Sequence, residues 1–160
     1  MTALAYRLAE EPDMGLVVNS WVAAYRTSDD LDPLPMAVRN GVIREMVDHY
    51  QALESVEVWV AHHPGAAGTG ADLYGWLALD RVGDAPPVLL FAYVKQPYRQ
   101  MGIASGLLRA AGLSRDSDLR YRHKTGAITL ARKKLPRLRP DRARGPRKAH
   151  VEPAATAADA

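Results

Sequence analysis

The apolar run VLLFAYV, Val88 to Val94, is separated by only seven residues, KQPYRQM, from the helical pattern GIASGLLRAAGL. This junction constrains the fold more than any other part of the chain. Seven consecutive apolar residues suit a central strand buried on both faces, and the helix that follows so closely must pack back on the strand's sheet. Such a strand needs helices above and below it, so the chain is read as α/β, a mixed central sheet flanked by helices.

The turn between the two elements has its own chemistry. A helix start exposes unpaired backbone N–H groups and the positive end of the helix dipole, which together cradle phosphate oxygens. Gly102 and Ala104 keep the loop open to close approach, Arg99 can reach a phosphate, and Ser105 offers a hydroxyl. Anion binding at the end of a central strand is therefore the physical expectation. The loop lacks the Gly-Lys-Ser/Thr ending of a nucleoside-triphosphate loop and the three glycines of a dinucleotide fingerprint. Nor is Ser105 a hydrolase nucleophile, since that elbow needs glycine at 103 and 107, occupied here by Ile103 and Leu107.

Periodicity places the remaining elements. LAYRLAEEP alternates like a half-buried strand (β1), and Asp13 is the expected N-cap of a helix over Met14 to Tyr25 (α1). A second amphipathic helix covers Met36 to Leu53 (α2). SVEVWVAHH and LYGWLALDRV read as strands joined by a Gly-rich loop (β2 and β3), and VLLFAYV is β4. GIASGLLRAAGL gives α3, LRYRHKT β5, and GAITLARKKL a short basic helix, α4. The expected order is β1-α1-α2-β2-β3-β4-α3-β5-α4.

With 160 residues the chain suits one domain. It has no cysteine, no basic-then-apolar leader at the start and no apolar stretch that would span a bilayer, so a cytoplasmic protein without membrane contact is expected. Its charge is uneven: residues 1–112 carry 8 Lys/Arg against 13 Asp/Glu, and residues 113–160 carry 13 against 5, so −5 and +8 make up the net +3. The run 120–148 holds 12 Lys/Arg and one acid, suited to a polyanion such as nucleic acid or to a solvated tail. The Pro/Arg-rich and then Ala-rich end cannot bury enough apolar area to order itself. The expected division is a folded domain over 1–138 and a disordered basic tail over 139–160.

YRQMGIASGLL resembles motif A of the GCN5-related N-acetyltransferases (GNAT), whose R/Q-x-x-G-x-G/A signature is met by Arg99, Gly102 and Ala104. The element order is also similar to that of the GNAT fold, with the motif at the β4 to α3 junction, and the chain looks more like small phage and bacterial members than like histone or aminoglycoside enzymes. The resemblance implies that acetyl-CoA is the cofactor, its pyrophosphate held by Arg99, Gln100, Met101, Gly102, Ile103, Ala104 and Ser105. It further implies that Ala92, Tyr93 and Val94 pair with the pantetheine arm and the acetyl carbonyl, and that acetyl passes directly to an amine acceptor. The family's asparagine and tyrosine near the C-terminal end have no clear counterpart in LRYRHKTGAITLARKKLPRLRP.

Other residues carry two readings. Trp21 and Tyr25, one turn apart, suit an acceptor pocket or the core. Asp29, Asp30 and Asp32 suit a cationic acceptor or a solvated loop. His62 and His63 point to opposite faces of a strand, so no metal is expected. Tyr121 and His123 alternate on β5 and are expected to share a face, either one a candidate proton carrier. The acids Glu10, Glu11, Glu54 and Glu57 lie near early strands, and none stands out as a general base. The alternative function is a non-catalytic GNAT-fold module acting through its basic segment on nucleic acid or protein; a further one is a structural phage or host-interaction protein.

Overall fold

The computed structural model describes residues 4–25, 35–65, 72–123, 128 and 132–141. Its elements are β1 (Ala5–Leu8), α1 (Glu11–Tyr25), α2 (Met36–Gln51), β2 (Val56–His62), β3 (Leu73–Asp80), β4 (Val88–Val94), α3 (Ile103–Ala110), β5 (Leu119–Tyr121) and β6 (Leu138–Pro140). They form one sheet in chain order. β1 to β4 are antiparallel neighbours, whereas β4, β5 and β6 run parallel.

The long apolar run of β4 is explained by a core on each side of it. Val88, Leu90 and Phe91 pack with Val17, Trp21 and Tyr25 of α1 and Ile43, Val47 and Tyr50 of α2. Leu89 faces the other layer, with Ile103 and Leu107 of α3. Leu90 and Phe91 are consecutive yet share a layer because the β3–β4 register slips between Ala78 and Leu79, which leaves Leu90 as an extra residue on β4.

Two expectations about boundaries are corrected. Helix α1 begins at Glu11, so Asp13 lies inside its first turn instead of preceding it. The Asp13 carboxylate reaches back to the Glu10 N–H at 2.8 Å and takes a bidentate pair from Arg7 at 2.6 and 3.2 Å. It thus satisfies an N-terminal donor from the third helical position, as the carboxylate of a capping box does. The sixth strand was not expected; it crosses residue 138, so residues 139 and 140 continue the sheet. Of the helix expected over 126–135, Ile128 and residues 132–134 are helical and Leu135 is not, and the remaining positions lie outside the described residues, as do Asp29, Asp30, Asp32 and residues 142–160. Among the described residues no helix is long and apolar enough to cross a membrane.

Candidate functional site

The site grows out of the end of β4. Lys95 leaves the strand, Gln96–Tyr98 makes one turn of 3-10 helix with Pro97 in it, and the Tyr98 ring stands edge-on against Tyr74 of β3 at 4.6 Å. Gln100 then takes φ 69° and Gly102 φ 79°, two left-handed residues within three positions. Gly102 is the N-cap of α3 and no side chain caps that helix. The helix's first bond runs from the Gly106 N–H to the Gly102 carbonyl at 2.9 Å. The amides of Ile103, Ala104 and Ser105 therefore precede the first repeating bond, and those of Gln100, Met101 and Gly102 have no partner among the described residues. A Cβ placed on Gly102 would meet nothing within 4 Å among the described residues, so there is open space beside that glycine. Six amides without partners among the described residues, at a helix start, form a cradle that could hold an anion.

The cradle continues into a strand edge that has no strand partner among the described residues. β5 pairs with β4 only at Val88 and Leu89 and ends at Tyr121, while β4 runs on to Val94. On the other side the Lys95 N–H bonds the Tyr74 carbonyl at 2.9 Å. By the alternation of an extended strand, the N–H and C=O groups of Tyr93 face β3, and those of Ala92 and Val94 face the edge that β5 leaves. The Val94 carbonyl is met there by Arg99 Nε at 3.1 Å. That bond folds the arginine back beside the cradle, with its exposed terminal nitrogens making no contact among the described residues. The close pairing on the β3 side depends on Gly75, where a Cβ would lie 2.7 Å from the Tyr93 carbonyl oxygen.

Where β4 and β5 part, aromatic side chains from three elements meet. His123, just past β5, has its ring edge against Tyr25 at 5.3 Å, and its Nε2 lies 2.9 Å from the Tyr50 hydroxyl. The Tyr25 hydroxyl donates to the carbonyl of Leu90, the extra residue, at 3.4 Å. Arg122 lies over the Tyr50 ring at 5.7 Å and pairs with buried Asp80 at 3.7 Å and Asp141 at 3.3 Å. Burial pushes the Tyr50 hydroxyl above its ordinary pKa, with Arg122 acting in the opposite direction.

The structure separates some residues that the sequence had grouped. Tyr121 and His123 do not share a face: Tyr121 is buried against the α3 layer with Leu119, whereas His123 lies beyond the strand's last residue and turns to α1 and α2. Alternation holds only while the strand continues, and β5 is three residues long. Trp21 is fully buried, stacked on Tyr50 at 5.9 Å and tilted on Trp76 at 5.1 Å, so it belongs to the core and lines no pocket. Tyr25 is equally buried but its hydroxyl and ring touch Leu90 and His123. Tyr50 has the spacing of an apolar position of α2, and nothing local in the sequence signals a partner 73 residues away.

Solved structures with a similar fold include a proposed acetyltransferase from Pyrococcus furiosus, with TM-score 0.60 and 15% identity over 82% of this chain and 91% of that one. Another, from Bacillus subtilis, gives TM-score 0.61 and 13% identity over 84% and 89%. A third, from Clostridium difficile 630, gives 0.52 and 14% over 89% and 95%. The chain has the GNAT fold. The cradle lies at the β4–α3 junction, and the edge of Ala92 and Val94 lies where β4 runs on past the end of β5. No protein-family model matches the chain, and no curated protein does.

Proposed function

We propose that the protein is an acetyltransferase that uses acetyl-CoA and an amine acceptor. The observation that carries this is the continuity of the six free amides over 100–105 with the edge of Ala92 and Val94, which has no strand partner among the described residues and on which Arg99 holds the Val94 carbonyl. A phosphate-bearing cofactor with an extended amide arm fits both at once. The amides of Gln100 to Ser105 hold the pyrophosphate with Arg99 beside it, and the open space over Gly102 admits it. The Ala92 and Val94 edge pairs with the pantetheine amides as a neighbouring strand would.

Acetyl-CoA, when bound, supplies a thioester carbonyl: the acceptor nitrogen bonds its carbon, the C–S bond breaks, sulfur leaves with the electron pair and gains a proton, and the nitrogen loses one. An edge N–H of β4 aimed at that carbonyl oxygen stabilises the charge that grows on it. His123, held by the Tyr50 hydroxyl and packed on Tyr25, stands at the parting of the strands as the group that exchanges a proton there. Tyr121 has no part in this reading, since its side chain is buried on the opposite face.

Calorimetric titration with acetyl-CoA and with coenzyme A tests the reading. Micromolar binding of both, together with release of free thiol when amines are added, supports it. Absence of binding by folded protein overturns it.

A further inference from the structure

The basic run that the sequence assigned to a helix and a tail is partly built into the sheet. Between Asp118 and Asp141 the chain has eight Lys/Arg and no acid. Leu135 and Leu138 are anchored in the α3 layer, and β6 pairs with β5. Around those anchors Arg132, Lys133, Lys134, Arg137 and Arg139 are all exposed. Parallel pairing sets Arg120 opposite Arg139. With Arg137 and Asp118 they line an open groove of about 740 Å³.

The existing ion pairs in this groove are loose. Arg120 lies 3.7 Å from Asp141 and Arg137 4.0 Å from exposed Asp118, while Arg139 has no partner among the described residues. The Arg137–Asp118 pair is exposed on both sides and contributes little, so an incoming anion can replace it, whereas Arg120 faces buried Asp141. The groove adjoins the starts of β4 and β5 through Pro86 and Asp118, whereas the cradle follows the end of β4. Seven residues of extended strand, about 20 Å, separate the two, so one cofactor's phosphates cannot fill both.

We propose that this edge, centred on Arg120, Arg137 and Arg139, binds the sugar-phosphate backbone of duplex nucleic acid without reading bases. Guanidinium groups match phosphate geometry, and a row of them set by a strand pair suits a regularly spaced polyanion. The surface argues against other anionic partners. Its one aromatic residue, Tyr121, is buried, so it offers no platform on which bases of a single strand could stack. Among the described residues the exposed large apolar side chains are Leu8, Val38, Val42, Val82 and Met101, and none of them lines this groove. Membrane insertion and the apolar anchors of a protein interface both lack their residues here. This inference is independent of the acetyltransferase reading.

The test is fluorescence anisotropy of the full chain with a labelled DNA duplex of about 20 base pairs, titrated from about 50 to 300 mM KCl. The expected dissociation constant at the low-salt end lies in or below the range of about 10⁻⁴ to 10⁻⁶ M typical of sequence-independent contacts, with affinity falling linearly in a log–log salt plot. The double variant Arg137→Glu/Arg139→Glu should weaken binding about tenfold or more and make the salt slope shallower by about two. Its circular dichroism should be unchanged, and Gly102→Glu should bind the duplex as wild type does. The proposal is overturned if the wild type does not bind, or if the double variant binds equally well, which would place binding in residues 142–160. Tighter binding of a single strand, or equal charge-sensitive binding of phosphatidylserine vesicles, would also overturn it.

Discussion

Gly102 allows the cradle to be tested in separable steps, because its environment divides the cost of a side chain into parts. Its φ of 79° is left-handed, so any L residue there adds strain of about 1–2 kcal/mol. Nothing in the protein lies within 4 Å of the added Cβ, so strain is the whole expected cost to folding. That amounts to roughly 2 to 8 °C in melting temperature for a chain of this size, much the same for Ala, Gln and Glu. Coenzyme A binding should divide the three variants. Ala adds one methyl group to the open space, Gln fills it, and Glu fills it with a charge. A carboxylate about 5 Å from a phosphate charge costs about 3 kcal/mol at an effective dielectric constant near 20, or roughly two-hundredfold in affinity. Calorimetric titration of wild type and the three variants, with melting curves on the same samples, gives both quantities. The cradle assignment is refuted if folded Gly102→Glu binds coenzyme A as tightly as wild type. Equal affinities for the Glu and Gln variants would also refute it, since no phosphate could then lie near residue 102.

Two further outcomes follow from the surrounding packing. Gly75→Ala should lower stability by about 1–3 kcal/mol in urea unfolding, because its Cβ would lie 2.7 Å from a backbone oxygen of β4 that cannot move without opening the strand pair; an unchanged midpoint would show that the pair yields freely. Tyr50 has a folded pKa raised above the unfolded value of 10.0, so its contribution to stability is complete below that value and is lost as pH rises through the folded pKa. Urea midpoints measured between about pH 8 and 11 should therefore fall more steeply above about pH 10 in wild type than in Tyr50→Phe, and parallel curves would refute the assignment.

Much of this architecture is legible in the sequence because it rests on local patterns. The apolar run of β4 and the helical spacing of α3 are properties of neighbouring residues, and the core on each side of β4 follows from them. The open turn at Gly102 is legible for the same reason: glycine takes left-handed backbone angles at no steric cost, as it does at the start of α3. Asp13 was misplaced by less than a turn, since the same carboxylate can cap from the N-cap or reach back from the third position, and only the Arg7 pairing decides between them.

Other features exist only once distant segments meet. Tyr50 reads as one more apolar position of α2, and its hydroxyl acquires a partner when the end of β5 brings His123 to 2.9 Å. Tyr121 and His123 part company because β5 stops, and strand length depends on how far β4 accepts a neighbour. Likewise the arginines after residue 119 look like a tail in one dimension; Leu138, seated against α3, and the pairing of β6 turn part of them into a rigid edge. The sequence by itself determined the two-sided strand, the open turn and the helix behind it, because short-range sterics and periodicity dictate them. Tertiary structure alone decided the short pairing of β5 with β4, the Tyr50–His123 contact and the basic groove, because each depends on where a strand pairing begins or ends, and that is a balance of long-range packing no local pattern contains.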